Sequence, residues 1–208
     1  MAVMRRAVFL DKDGTLIENV PYNVDPRLVV LAPGAGAALR ALKSHGFLLV
    51  VISNQSGVAL GRFPLHALAN VERRIQELLV PDGVAIDAFY YCPHLPYARS
   101  VRYAVRCLCR KPQPGLLRQA ARDRWIDLKR SWLVGDILDD VEAGNRAGCR
   151  TVLVDTGNET EWELGPHRRP HYLAGSLSGA ARHILAPVSR APGNPKGGRD
   201  GFDVATEA

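Results

Sequence analysis

The strongest constraint on the fold is an unbroken apolar run, Phe-Leu-Leu-Val-Val-Ile at residues 47–52, bounded by Gly46 and Asn54. It reads as a strand covered on both faces, as parallel sheets require. A shorter apolar run at 7–10 reads the same way. Further strands are expected at 86–91, 132–134 and 151–154, with a weak last one near 171–173. Helical stretches separate them. Pro33-Gly34 opens one that carries Leu39 and Leu42 on a single face and ends near His45-Gly46. Pro64 begins another, with Leu68, Val71, Ile75, Leu78 and Leu79 at helical spacing. Residues 115–123 and 139–147 form two more, and a last helix ends near Leu185. Strands regularly separated by helices define an α/β fold of Rossmann-like character: a parallel sheet with helices on both faces. Ligands of such sheets sit at the carboxyl ends of the strands. Asp11, Ser53 and Asp136 each fall at or just after such an end.

The 208 residues, 47% of them hydrophobic, suit one domain with its own core. That domain is expected over 1–186. Residues 187–208 mix proline, glycine and charge without periodicity and are expected to form a disordered tail. No apolar run approaches the roughly 20 residues that span a bilayer. The first apolar stretch stops at Asp11-Lys12-Asp13, unlike a signal peptide, so a cytoplasmic monomer is expected. The formal charge of +6 comes from scattered arginines without an aromatic platform, which points to a small anionic substrate and away from nucleic acid or membrane. Arg73-Arg74 and Arg168-Arg169 read as solvated pairs. Trp125, Trp132 and Trp162 read as packing or rim residues. His45, His66, His167, His171 and His183 match no ligand spacing and read as surface residues. Arg62 follows the candidate phosphate loop and reads equally as a substrate contact or as a helix entry.

The chemistry concentrates at strand ends. Asp11-Lys12-Asp13-Gly14-Thr15 follows the first strand, and Gly14 lets the chain turn so that both carboxylates converge. Asp136, with Asp139 and Asp140 next, follows another strand. Carboxylates from two strand ends can chelate a hard cation such as Mg²⁺, which keeps waters and accepts a phosphate oxygen. Ser53-Asn54-Gln55-Ser56-Gly57 offers a hydroxyl, amides and backbone donors to phosphate oxygens, and Lys111, before Pro112, offers a fixed positive charge.

These four segments, in this order, resemble the motifs of the haloacid dehalogenase superfamily of phosphohydrolases, over about residues 6 to 155. The resemblance implies that Asp11 attacks phosphorus to form an aspartyl phosphate. Ser53 and Lys111 then belong to the catalytic set, with Lys111 and Mg²⁺ neutralising the transferring phosphoryl group. Asp13 acts as general acid and then base, which favours a hydrolase over a phosphotransferase. The magnesium set is Asp11, Asp13 through its backbone carbonyl, and Asp136. A phospho-acceptor module like a signalling receiver is the competing class, and Asp13 argues against it.

A second cluster is Cys92-Pro93-His94 and Cys107-Leu108-Cys109, with twelve residues between the pairs. Three thiolates and an imidazole complete a tetrahedral Zn²⁺ set with no position left for water, so the ion is read as a structural staple of loop 92–109. Cys149 reads as a small core residue. Together with Arg110-Lys111-Pro112, these runs look like the D-glycero-D-manno-heptose 1,7-bisphosphate phosphatases, with histidinol phosphatases as close relatives. That likeness implies no large cap domain and removal of the 7-phosphate, in lipopolysaccharide heptose biosynthesis. It also implies substrate contacts from Asn19, Tyr22, Ser53, Asn54, Gln55, Ser56, Arg110 and Lys111. Two departures stand out. Lys12 replaces a frequent arginine, and the segment 155–162 carries three acidic residues, where a more basic stretch is usual and where preference between heptose, histidinol and other small phosphomonoesters would change.

Overall fold

The computed structural model describes residues 4–98 and 102–187; the tail from 188 onward, expected to be disordered, lies outside them. Among the described residues six strands form one parallel sheet in the order β3-β2-β1-β4-β5-β6. They are β1 (Arg6–Leu10), β2 (Phe47–Asn54), β3 (Ala88–Cys92), β4 (Trp132–Gly135), β5 (Arg150–Val154) and β6 (Tyr172–Ala174). In register, Leu10 lies beside Val51 on one side and Val134 on the other. Strand order reverses between β1 and β4, so their carboxyl ends flank the crevice where ligands of such sheets bind.

Among the described residues six α-helices complete the layers: α1 (Ala35–Ser44), the single turn α2 (Ser56–Ala59), α3 (Leu68–Leu79), α4 (Gly115–Arg124), α5 (Leu138–Ala147) and α6 (Leu177–Leu185). The two-residue period of the strands sorts the core. Val8, Leu10, Leu49 and Val51 face α1, α3 and α6. Ala7, Phe9, Leu48, Val50 and Ile52 face the α4 side. This is why the run at 47–52 has no polar member: both its faces are covered.

Three local expectations shift. The third strand starts two residues later than read, because Ile86 exchanges hydrogen bonds with the Gln76 amide, which donates at 2.9 Å and accepts at 3.0 Å. Asp87 then turns its carboxylate onto the Leu49 N–H (2.8 Å) and Lys43 (2.5 Å). After Pro64 the chain makes a short 3-10 turn, Leu65–Ala67, before the α-helix proper. Arg168 is not merely solvated: it donates to Asp139 (3.0 Å) and Glu142 (3.1 Å) on α5. Trp132 is buried, whereas Trp125 and Trp162 are exposed. His183 stacks on Tyr172 with ring centroids 3.7 Å apart. Cys149 is buried in the core, where burial pushes its thiol up to about 12.

Among the described residues no second sheet or inserted domain interrupts the unit. None of its helices is long and apolar enough to cross a membrane.

Candidate active site

The end of β1 delivers Asp11 and the end of β4 delivers Asp136, one on each side of the crevice. Asp140, in the first turn of α5, joins them. Carboxylate oxygens of the three lie within 4.8 Å of one another, and all three residues are buried. Asp140 carries a second duty, because its Oδ2 accepts from the Ile137 N–H at the head of its own helix (3.4 Å). Lys111 reaches in from the loop before α4. Its Nζ donates to Asp11 Oδ1 (2.5 Å) and to the Ile52 carbonyl (3.2 Å), and it is ion-paired with Asp140. Asn54, at the end of β2, holds that lysine in place. Its Oδ1 accepts from the Lys111 N–H (3.0 Å) and its Nδ2 donates to the Lys111 carbonyl (3.1 Å). Asn54 was expected to touch substrate; here its side-chain amide is engaged at both ends with the backbone of Lys111.

Electrostatics follow from burial. Loss of water pushes the Asp11 carboxyl up to about 7; Lys111 opposes the rise, and Asp140 and Asp13 add to it. Burial and the Asp11 charge push Asp136 up to about 6, against hydrogen bonds from Asn158 and Thr15. Burial disfavours a charged Lys111, but the Asp11 and Asp140 carboxylates outweigh it and hold its pKa above the ordinary lysine value. One ammonium among three buried carboxylates leaves an excess of negative charge, and this donor set fits a hard divalent cation.

The Asp13 side chain stands apart from this cluster. Its carboxylate accepts from Lys12 Nζ (2.7 Å) and Gln55 Nε2 (3.1 Å). It lines a cavity of about 260 Å³ with Asn19, Tyr22, Asn54, Gln55 and Ser56. Gln55 also donates to Ser53 Oγ (2.9 Å). Arg110 donates to Ser56 Oγ (2.7 Å) and to the His94 carbonyl (3.3 Å), which ties the cysteine–histidine loop to the cavity wall. Tyr22 has a positive φ of 58° and lies under the Arg62 guanidinium, 4.4 Å from ring centroid to Cζ.

Cys92, His94, Cys107 and Cys109 come together with ligand atoms within 4.8 Å. His94 Nδ1 is 3.2 Å from Cys109 Sγ, and Cys109 Sγ is 3.1 Å from Cys92 Sγ and 3.2 Å from Cys107 Sγ. This closed N/S set fits tetrahedral Zn²⁺ and offers it no open position.

The sequence shows Asp140 four residues after Asp136 without marking its role, and it carries no signal for Asn158. The Asn158 Nδ2 donates to Asp136 Oδ2 (2.8 Å), opposite the Thr15 hydroxyl on Oδ1 (3.1 Å). The acidic segment after β5 is also partly committed: Glu159 accepts from the Leu138 N–H at the start of α5 (2.6 Å).

Comparison with known proteins agrees with this geometry. Residues 108–180 match the HAD-hydrolase-like family model. The D-glycero-beta-D-manno-heptose-1,7-bisphosphate 7-phosphatase of Haemophilus ducreyi is 41% identical over 155 residues, covering 74% of this chain and 85% of that protein. The D-glycero-D-manno-heptose-1,7-bisphosphate 7-phosphatase of Thermosynechococcus vestitus is 37% identical over 193 residues, covering 88% and 98%. The crystal structure of the D,D-heptose 1.7-bisphosphate phosphatase from B. bronchiseptica, complexed with magnesium and phosphate, aligns with a TM-score of 0.74 at 31% identity. It covers 86% of this chain and 98% of that one. The chain belongs to the haloacid dehalogenase-like phosphatases, a family of phosphoric monoester hydrolases. Within that family its relatives place it beside the heptose-bisphosphate 7-phosphatases.

Gly14 tests the packing of this centre. Its φ is +88°, and a Cβ there would lie 2.1 Å from Asp136 Oδ2 and 2.5 Å from Asn158 Nδ2. Gly14→Ala is therefore expected to lower kcat/KM by roughly 10²-fold, the scale of a 1 Å misplacement of catalytic groups. Steady-state kinetics together with a thermal melt check this; wild-type kinetics would mean that the crevice is slack.

Proposed function

We propose that this chain is a magnesium-dependent phosphatase that removes the 7-phosphate of D-glycero-D-manno-heptose 1,7-bisphosphate through an aspartyl phosphate on Asp11. The observation that carries the chemistry is the pairing of Asp11 and Asp136 across the strand-order reversal, with Lys111 held between Asp11 and Asp140 beside them. The heptose substrate rests on the names of the relatives.

Asp11 supplies a carboxylate oxygen to phosphorus while the bond from phosphorus to the sugar oxygen breaks. Asp13, facing the cavity beside Asn19 and Tyr22, gives its proton to that departing oxygen. A water then attacks phosphorus; Asp13 takes its proton, and cleavage of the acyl phosphate restores Asp11. Lys111 lies against the equatorial phosphoryl oxygens, and Ser53 donates to one of them. Magnesium, held by Asp11, Asp136 and the Asp13 backbone carbonyl, would supply positive charge that offsets repulsion between carboxylate and phosphate. Gln55, Ser56 and Arg110, with Asn19 and Tyr22, hold the rest of the sugar. Residues up to about 186 act as one catalytic unit, and zinc on Cys92, His94, Cys107 and Cys109 orders the loop that delivers Arg110 and Lys111.

Phosphate release from both anomers of heptose 1,7-bisphosphate, from histidinol phosphate and from an aryl phosphate tests the substrate. The bisphosphate is expected to give the highest kcat/KM; a preference for histidinol phosphate would overturn the assignment and leave the chemistry standing. Asp11→Asn is expected to lower kcat more than about 10³-fold on every substrate, the scale of losing a nucleophile.

Zinc is expected to copurify at one ion per chain, bound by the four-residue set. Cys107→Ser should release it, lower the melting temperature, and raise KM for the bisphosphate more than for the aryl phosphate, which does not need Arg110. Metal analysis, a thermal melt and paired kinetics check this. Full stability and activity without zinc would contradict a structural ion.

A further inference from the structure

We propose that Asn158 is a positioning residue for Asp136, so that the loop after β5 forms part of the magnesium site. The inference rests on the reading of Asp136 as a metal ligand. Parallel neighbours in the sheet create the contact: β5 lies beside β4, with Gly135 in register with Leu153, so the loop leaving β5 passes the residue that leaves β4. There the amide of Asn158 uses both of its N–H groups. One goes to Asp136 Oδ2 (2.8 Å) and the other to Thr156 Oγ1 (3.0 Å). With both donors spent inside the protein, Asn158 is fitted to aim a carboxylate and not to grip a substrate phosphate. Asp136 accepts one chain donor on each oxygen, Thr15 on Oδ1 and Asn158 on Oδ2. Two donors on opposite oxygens fix the plane of the carboxylate and leave lone pairs on each for a cation.

Two further features hold the contact. Gly14 has no side chain, and the space its Cβ would take is filled by the Asp136 carboxylate and the Asn158 amide. The next residue, Glu159, latches the loop to α5. Its Oε2 accepts from the Leu138 N–H (2.6 Å) and its Oε1 from the Glu161 N–H (2.9 Å). An acidic side chain at that helix start is also favoured by the helix dipole. The loop is thus tied on one side to the metal-site carboxylate and on the other to the helix that carries Asp140. One acid of the segment 155–162 thereby serves the architecture of the metal site and is not free to act on substrate charge.

The test is calorimetric titration of Mg²⁺ into protein dialysed free of magnesium, for the wild type, Asn158→Ala, Glu159→Ala and Asp136→Ala. Asn158→Ala is expected to weaken magnesium binding 10- to 100-fold, the usual scale for losing a hydrogen bond that orients a metal ligand. Its kcat on an aryl phosphate should return to near the wild-type value at saturating magnesium. Glu159→Ala keeps the amide but loosens the latch, and should weaken binding by a smaller factor; it stands in for Asn158→Ala if that chain does not fold. Asp136→Ala should abolish the binding. If Asp136→Ala abolishes binding while Asn158→Ala, or in its place Glu159→Ala, stays within twofold of wild type, the positioning role is wrong and the metal reading stands. If Asp136→Ala leaves binding intact, both fall together. A loss of melting temperature with unchanged magnesium affinity would mark Asn158 as a loop cap only, and would also overturn the proposal.

Discussion

The interaction on which the rest depends is the one between Lys111 and the buried carboxylates of Asp11 and Asp140. Asp11, Asp136 and Asp140 have oxygens within 4.8 Å of one another; at an effective dielectric constant of about 20, each ionised pair at that distance repels by about 3 kcal/mol. The fold holds them together because each is fixed by an element packed for other reasons. Asp11 directly follows β1, whose last four residues are fully buried, Asp136 directly follows β4, and Asp140 helps to cap its own helix. Lys111 cancels part of the excess charge. The remainder makes the crevice a place where a divalent cation and a phosphoryl group are welcome together.

That arrangement explains why the loop before α4 is built so firmly. Lys111 is useful only if its Nζ stays between two carboxylates, so its backbone is clamped by Asn54 and its neighbour Arg110 is tied to Ser56 and the His94 carbonyl. Behind them, Cys109 sits in the cysteine–histidine cluster, one residue from Arg110. Gly115 adds a further constraint: a Cβ there would lie 2.1 Å from the Leu108 carbonyl, so the helix start and the loop pack backbone to backbone. Substrate groups and catalytic charge therefore rest on one stapled segment.

Much of this was legible in the sequence, for a physical reason. Covered strands leave continuous apolar runs, and the residues just past them must face the crevice, so Asp11, Ser53 and Asp136 declare themselves by position alone. The cysteine and histidine pairs declare themselves by chemistry. What stayed hidden depends on contacts between distant segments. Nothing near Asn158 says that the loop after β5 lies over the end of β4; that follows only from strand order. Asn54 reads as a phosphate ligand, and nothing near it in the sequence says that its amide also clamps the backbone of a loop 57 residues further on. Arg168 looks like half of a solvated pair until α5 presents Asp139 and Glu142 to it. The late start of β3 has the same origin, since the Gln76 side chain takes the hydrogen bonds that Ile86 would have given a strand.

The central claim is that Asp11 carries the phosphoryl group. Its most direct test is to mix the Asp13→Asn chain, whose hydrolytic step is slowed, with para-nitrophenyl phosphate and quench it in acid within the first turnover. The quenched protein is then reduced with borohydride and digested for mass spectrometry. An acyl phosphate is reduced to an alcohol, so the account predicts homoserine in place of Asp11 in a fraction of chains that matches the burst of nitrophenol. A nitrophenol burst with Asp11 unmodified, or with the reduction mapped to another carboxylate, would contradict it.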